Sequence, residues 1–150
     1  MNSNKITPCL WFNTKGGAIS EVLEYYKNIF TNDLEEGKIM QLGETPSGNT
    51  EICEVKLFGQ KYTLMSTAEE HHPFNDSVSF TINCKDQQEI DRVWDYFTQE
   101  GQESQCGWCF DKYGFRWQVI PENLNELMSR PNAWKVMMGQ KKIVIQDYLA

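Results

Sequence analysis

Cys106 and Cys109 stand in a C-x-x-C pattern, a spacing that serves a redox dithiol or supplies half of a zinc site. A redox pair of this kind sits at a helix N-terminus, where the dipole lowers the thiol pKa. Here Cys109 is followed by Phe110, the turn Asp111 to Gly114, and a run in which Arg116, Gln118 and Ile120 alternate with Phe115, Trp117 and Val119. That alternation predicts a hairpin of two strands, Gly107 to Phe110 and Phe115 to Ile120, with no helix start. Residues three apart in a strand also point to opposite faces. A C-x-x-C thiol redox or zinc protein is therefore the alternative reading.

Two other groups could do chemistry. Glu69-Glu70-His71-His72 holds both histidines of the chain and offers metal donors; adjacent residues between two similar halves read better as a surface linker. Glu103, Asp111 and Arg116 are the charges expected nearest a pocket. Arg116 would either pair with an anionic ligand or be a surface cation leaning over a Trp or Tyr ring.

The elements that must position these residues repeat. A strand is expected over Ile6 to Phe12. A helix over Ala18 to Phe30 places Ile19, Val22, Leu23, Tyr26, Ile29 and Phe30 at helical spacing. Strands follow at Lys38 to Leu42, Glu51 to Phe58 and Lys61 to Thr67. A strand over Ser77 to Cys84 then restarts the series. Asp86 with Glu89 forms a capping box ahead of a helix ending at Gly101. Ile19, Val22, Leu23 and Tyr26 line up with Ile90, Val93, Trp94 and Phe97 at an offset of 71. The chain reads as an α+β protein, a βαβββ module written twice, with modules over 5–68 and 76–121. A tail over 122–150 is expected to be helical, with Pro131 in a first helical turn and Trp134, Met137 and Met138 packing inward or serving self-association.

One face of each sheet must receive its helix. Leu10, Phe12, Val78, Phe80, Ile82, Phe115, Trp117 and Val119 are assigned to it. The other face collects Thr7, Cys9, Trp11, Thr63, Met65, Ser77, Ser79, Thr81, Arg116 and Gln118. Small hydroxyls mixed with soft apolar groups suit a small-molecule pocket; a homodimer seam of a non-catalytic interaction protein is the other use. The residues expected to line the pocket are Thr7, Trp11, Met65, Ser77, Ser79, Trp108, Arg116 and Gln118.

Composition narrows the partners. The 150 residues carry 21 acidic and 14 basic side chains, a net charge of -7, without the basic cluster that nucleic acid requires. No apolar run is long enough to span a membrane. The N-terminal residues lack a secretory h-region, and five cysteines form an odd set, so a reduced, cytoplasmic protein is expected.

"KITPCLWF", "FNDSVSFTINCKDQQEIDRVWDYF", "GQESQCGWCFDKYGFRWQVIP" and "MMGQKKIVI" resemble the PhnB-like subfamily, labelled demethylubiquinone 3-methyltransferase, of the vicinal-oxygen-chelate superfamily. That superfamily includes glyoxalase I, extradiol dioxygenases and bleomycin- and fosfomycin-resistance proteins. The resemblance covers nearly the whole chain and implies a single domain over 1–150, a homodimer, and a ligand cleft on the inner sheet face. It places the metal-ligand positions of the superfamily at Thr7, Met65, Ser77 and Gln118. These supply no carboxylate, imidazole or thiolate, so no metal and no cofactor is expected. The label's methyl transfer lacks the Gly-rich loop of the common S-adenosylmethionine enzymes. The reading is a PhnB-like glyoxalase-fold protein that binds a small molecule without a metal, with its reaction unassigned.

Overall fold

The computed structural model describes residues 5–70 and 72–150. The chain divides into two units, Met1–His72 and Pro73–Ala150. In the first, β1 (Cys9–Asn13) leads through a short 3-10 turn (Lys15–Gly17) into α1 (Ser20–Phe30), followed by β2 (Leu34–Thr45), β3 (Gly48–Leu57) and β4 (Gln60–Thr67). Its sheet runs β1-β4-β3-β2. β1 is parallel to β4 and the other pairs are antiparallel. The second unit holds β5 (Ser79–Cys84), α2 (Gln87–Glu100), β6 (Gln102–Glu103), β7 (Trp108–Phe110) and β8 (Arg116–Pro121). Its order is β5-β8-β7-β6, again with the first and last strands parallel. Order and strand direction match between the units, so the fold is α+β with a duplicated βαβββ module. β6, two residues long, completes the second copy. It is too short to show alternation, and the sequence reading has no strand there.

The apolar positions at helical spacing are the ones buried. Val22, Leu23, Tyr26, Ile29 and Phe30 of α1 pack into one core, with Phe12 meeting Tyr26 edge to face at 5.9 Å. Ile90, Val93, Trp94 and Phe97 fill the second core, where Phe97 stacks on Trp117 at 4.7 Å. Each such side chain contributes roughly 1.5–3 kcal/mol when fully buried. Asp86 caps α2, its carboxylate accepting from Glu89 N at 2.9 Å. The Glu89 carboxylate answers by accepting from Lys85 N at 2.7 Å, one residue before the cap. In the first unit a glycine is obligatory at the approach to α1. Gly17 has φ +78, and a Cβ there would lie 2.1 Å from Asn49 O.

Several boundaries differ from the sequence expectation. Ile6 is exposed, and Thr7 lies outside β1, which begins at Cys9. Ser77 and Val78 precede β5, which leaves Val78 56% exposed instead of facing the helix. Gly107 precedes β7. β2 is far longer than Lys38 to Leu42. The tail is not one helical run. α3 (Leu124–Met128) and α4 (Ala133–Met138) are short, and only a 3-10 turn, Ile145–Tyr148, follows. Gly139 ends α4, and the β-branched run Ile143-Val144-Ile145 resists helix. Pro131 lies outside α4, ahead of Asn132 at its N-cap. Met137 is buried as expected, but Trp134 and Met138 are 68% and 67% exposed, because they stand on the outer side of a six-residue helix.

The tail is nonetheless anchored. Leu127, Ala133, Met137, Ile143 and Tyr148 form a core of their own. The Gln87 carboxamide of α2 donates to Ile143 O at 3.0 Å and accepts from Ile145 N at 2.8 Å, as a neighbouring strand would. Among the described residues no helix is long and apolar enough to cross a membrane.

Candidate functional site

Strand alternation and register assign each side chain to a face. In the first unit Leu10, Leu64 and Cys53 lie in one cross-strand row on the α1 side. The next row is therefore on the face without a helix. It consists of Trp11, Met65, Ile52 and Met40, paired strand to strand across all four strands. Polar rows flank it: Cys9, Thr63 and Glu54 on one side, Asn13, Thr67 and Thr50 on the other. The Trp11 indole donates to Thr67 Oγ1 at 3.2 Å, which fixes the ring against its flank. Neighbouring Cβ atoms in such a row are about 4.5–5.5 Å apart, so the four apolar side chains form a continuous band. Sequence reasoning placed Trp11 and Met65 here and missed Ile52 and Met40. The signal was available: Cys53 and Val55 point to the helix, so Ile52 must point away.

In the second unit the corresponding face carries Thr81, Gln118 and Trp108 in one row and Ser79, Arg116 and Phe110 in the next. Gln118 donates through Nε2 to Ser79 Oγ at 2.9 Å. Arg116 is committed. Nε meets the Asp76 carboxylate at 2.7 Å, Nη1 donates to Gly114 O at 2.7 Å and Phe74 O at 3.3 Å, and the guanidinium lies 3.8 Å from the Phe110 ring centre. The ring beneath the cation is Phe110 and not the Trp or Tyr expected from the sequence.

Asp111 is not a pocket charge. It is 2% exposed and accepts from Tyr113 N, Phe115 N and the Trp117 indole at 2.9, 3.1 and 2.8 Å. The carboxylate ties the hairpin turn to the core face of β8. Glu103 accepts from the Trp94 indole at 3.2 Å.

Within each unit, the two positions that the resemblance assigns to the superfamily's metal lie four residues out of register. β1 and β4 are in register with Met65 opposite Trp11, four residues from Thr7, roughly 13 Å of extended chain. β5 and β8 set Gln118 opposite Thr81, again four residues from Ser77. Only Gln118 among the four carries a strong oxygen donor. Among the described residues no three His, Cys, Asp or Glu side chains lie together as a metal would require. His72 is exposed, and His71 lies outside the described residues. The residues present do not fit the superfamily's metal.

The cysteines are free thiols. Cys109 faces the core of the second unit, opposite Trp117. Burial, then the nearby Asp111 and Glu103 carboxylates, pushes its thiol up to about 12. Cys106 lies before the strand with φ +57, and its Sγ is 3.5 Å from Met137 O. A buried, protonated Cys109 is a poor nucleophile and a poor metal ligand.

The family model described as 3-demethylubiquinone-9 3-methyltransferase matches residues 4–120. The chain belongs to this family. Among solved structures, the PhnB protein of Bacillus cereus is 26% identical, with a TM-score of 0.65 over 78% of this chain and 99% of that one. The fosfomycin resistance protein FosX of Listeria monocytogenes is 15% identical, with a TM-score of 0.55 over 87% of this chain and 100% of its own. Trypanothione-dependent glyoxalase I of Leishmania major is 9% identical, with a TM-score of 0.52 over 84% and 93%. The last two show the fold alone, that of the vicinal-oxygen-chelate superfamily. A comparison with curated proteins finds no match. The family's description names methyl transfer, yet β1 runs into Thr14 and the turn Lys15–Gly17, without the phosphate-cradling G-x-G-x-x-G of a dinucleotide-type loop.

Proposed function

We propose that this PhnB-like protein binds a small organic molecule on the helix-free faces of its sheets and does so without a metal. The observation that carries the reading is the apolar row Trp11, Met65, Ile52 and Met40, bordered by the half-buried Thr63 on one side and by the buried Thr67 and Thr50 on the other. An apolar floor with a few convergent polar groups is the usual lining of a ligand site. The second unit's own helix-free face carries the Ser79–Gln118 pair and Trp108 as polar and aromatic groups. Thr7 and Ser77 lie at the margins, just ahead of β1 and β5. Arg116 acts by holding Asp76 and Phe110 in place. Residues 1–150 work as one domain of the family, built from modules 5–68 and 76–121 with the tail 122–150, and the protein functions as a cytoplasmic homodimer.

Thermal-shift screening of the full chain against a metabolite library tests this. Stabilisation by a defined compound, unchanged after treatment with a chelator and weakened by Trp11→Ala or Met65→Ala, is expected. No shift with any compound, or binding abolished by the chelator, refutes it.

A further inference from the structure

β2 is the edge strand of the first sheet. It is 12 residues long, and every residue from Glu35 to Glu44 is exposed. Edges of this length present unpaired backbone groups and are normally shielded. Two irregularities, between Glu36 and Ile39 and between Gln41 and Gly43, provide some shielding. Yet the strand still exposes Ile39, Met40 and Leu42 at 38%, 53% and 50%, and Met40 is the outermost member of the apolar row.

For two-fold axes at the apolar centre of β2, residues 39 to 42, the charges are self-complementary in one register. If two copies pair antiparallel about a two-fold axis at Gln41, Lys38 faces Glu44 twice, and Met40 faces Leu42 twice. A shift of the axis to Met40 places Glu36 against Glu44, a like-charge pair that opposes pairing. No other axis between residues 39 and 42 gives Lys38 a carboxylate partner.

We propose that β2 is the self-association edge of this protein, pairing antiparallel with β2 of a second copy about Gln41. This rests on the homodimer reading above and names its surface. The pairing satisfies the open edge, covers the three exposed apolar side chains, and prolongs the Trp11–Met65–Ile52–Met40 row into the second copy.

Charge exchange tests it without touching the core, because Lys38 and Glu44 are exposed. Analytical ultracentrifugation of the full chain is expected to show a dimer. Lys38→Glu and Glu44→Lys, each alone, place like charges opposite at two points and raise the dimer Kd by about tenfold or more. The Lys38→Glu/Glu44→Lys double variant restores the parent Kd. An equimolar mixture of the two single variants forms a heterodimer, because one variant is acidic at both positions, the other is basic at both, and opposite charges then meet at each contact. A parent dimer that ignores all four manipulations overturns the β2 assignment and leaves the homodimer standing. A monomeric parent overturns both.

Discussion

Asp111 offers a sharp test of what holds the second module's last hairpin. Its carboxylate is buried and accepts three N–H groups: Tyr113 and Phe115 from the turn and the Trp117 indole from β8. Asp111→Ala strands all three donors. An unsatisfied buried donor costs about 1–3 kcal/mol, and bonds to a charged acceptor lie at the upper end. Because the three losses share one turn and are not additive, a total of about 3–5 kcal/mol is expected, a large part of a small protein's stability. Asp111→Asn separates the contributions. Its oxygen still takes the two backbone amides, while its NH2 group meets the indole N–H, donor against donor, at a cost of about 2 kcal/mol. Trp117→Phe deletes that donor, so a double-mutant cycle between Asp111→Asn and Trp117→Phe is expected to show coupling of at least about 1 kcal/mol. Urea unfolding followed by circular dichroism measures all four corners. If Asp111→Asn stays within about 0.5 kcal/mol of the parent, or the coupling vanishes, the carboxylate does not clamp the turn.

The buried thiols predict an alkaline limit. Burial, ahead of the neighbouring charges, pushes Cys84 and Cys109 from their ordinary value of 9.0 up to about 12, so above pH 9 the unfolded chain releases protons that the folded one keeps. Stability is therefore fully present below pH 9 and falls toward pH 12 by about 1.4 kcal/mol per pH unit for each thiol; urea midpoints measured from about pH 8 to 11 should fall accordingly, and less steeply in Cys84→Ala/Cys109→Ala. Gly17→Ala combines a left-handed φ with a Cβ 2.1 Å from Asn49 O and should cost about 2 kcal/mol or more, read as a lowered thermal midpoint. Gln87→Ala removes both clasps on the tail; hydrogen exchange at Ile145 should accelerate severalfold while α2 amides keep their protection.

Much of the fold was legible because its signals are local. Ile19, Val22, Leu23, Tyr26, Ile29 and Phe30 recur at helical spacing whatever they pack against, and the same pattern returns 71 residues later. Asp86 and Glu89 announce a helix start through chemistry confined to four residues. The alternation from Arg116 to Ile120 by itself excludes a helix-borne dithiol.

The site was decided elsewhere. That Trp11 stands beside Met65, Ile52 and Met40 depends on a parallel pairing between strands far apart in the chain and on two antiparallel registers, and no local pattern encodes register between distant strands. Arg116 looked available because its partners, Asp76 and the Phe110 ring, come from a loop and a neighbouring strand. Asp111 read as a charge beside the pocket because only folding brings the Trp117 indole to it. The tail's helical composition yielded to Gly139, to the β-branched Ile143-Val144-Ile145, and to the Gln87 clasp that holds an extended backbone in place. Periodicity thus determined the two long helices and the buried faces of the strands that alternate, and left β6 and the tail undetermined. Long-range register and hydrogen bonding determined which side chains meet on the open face, because those contacts are set only when distant strands close.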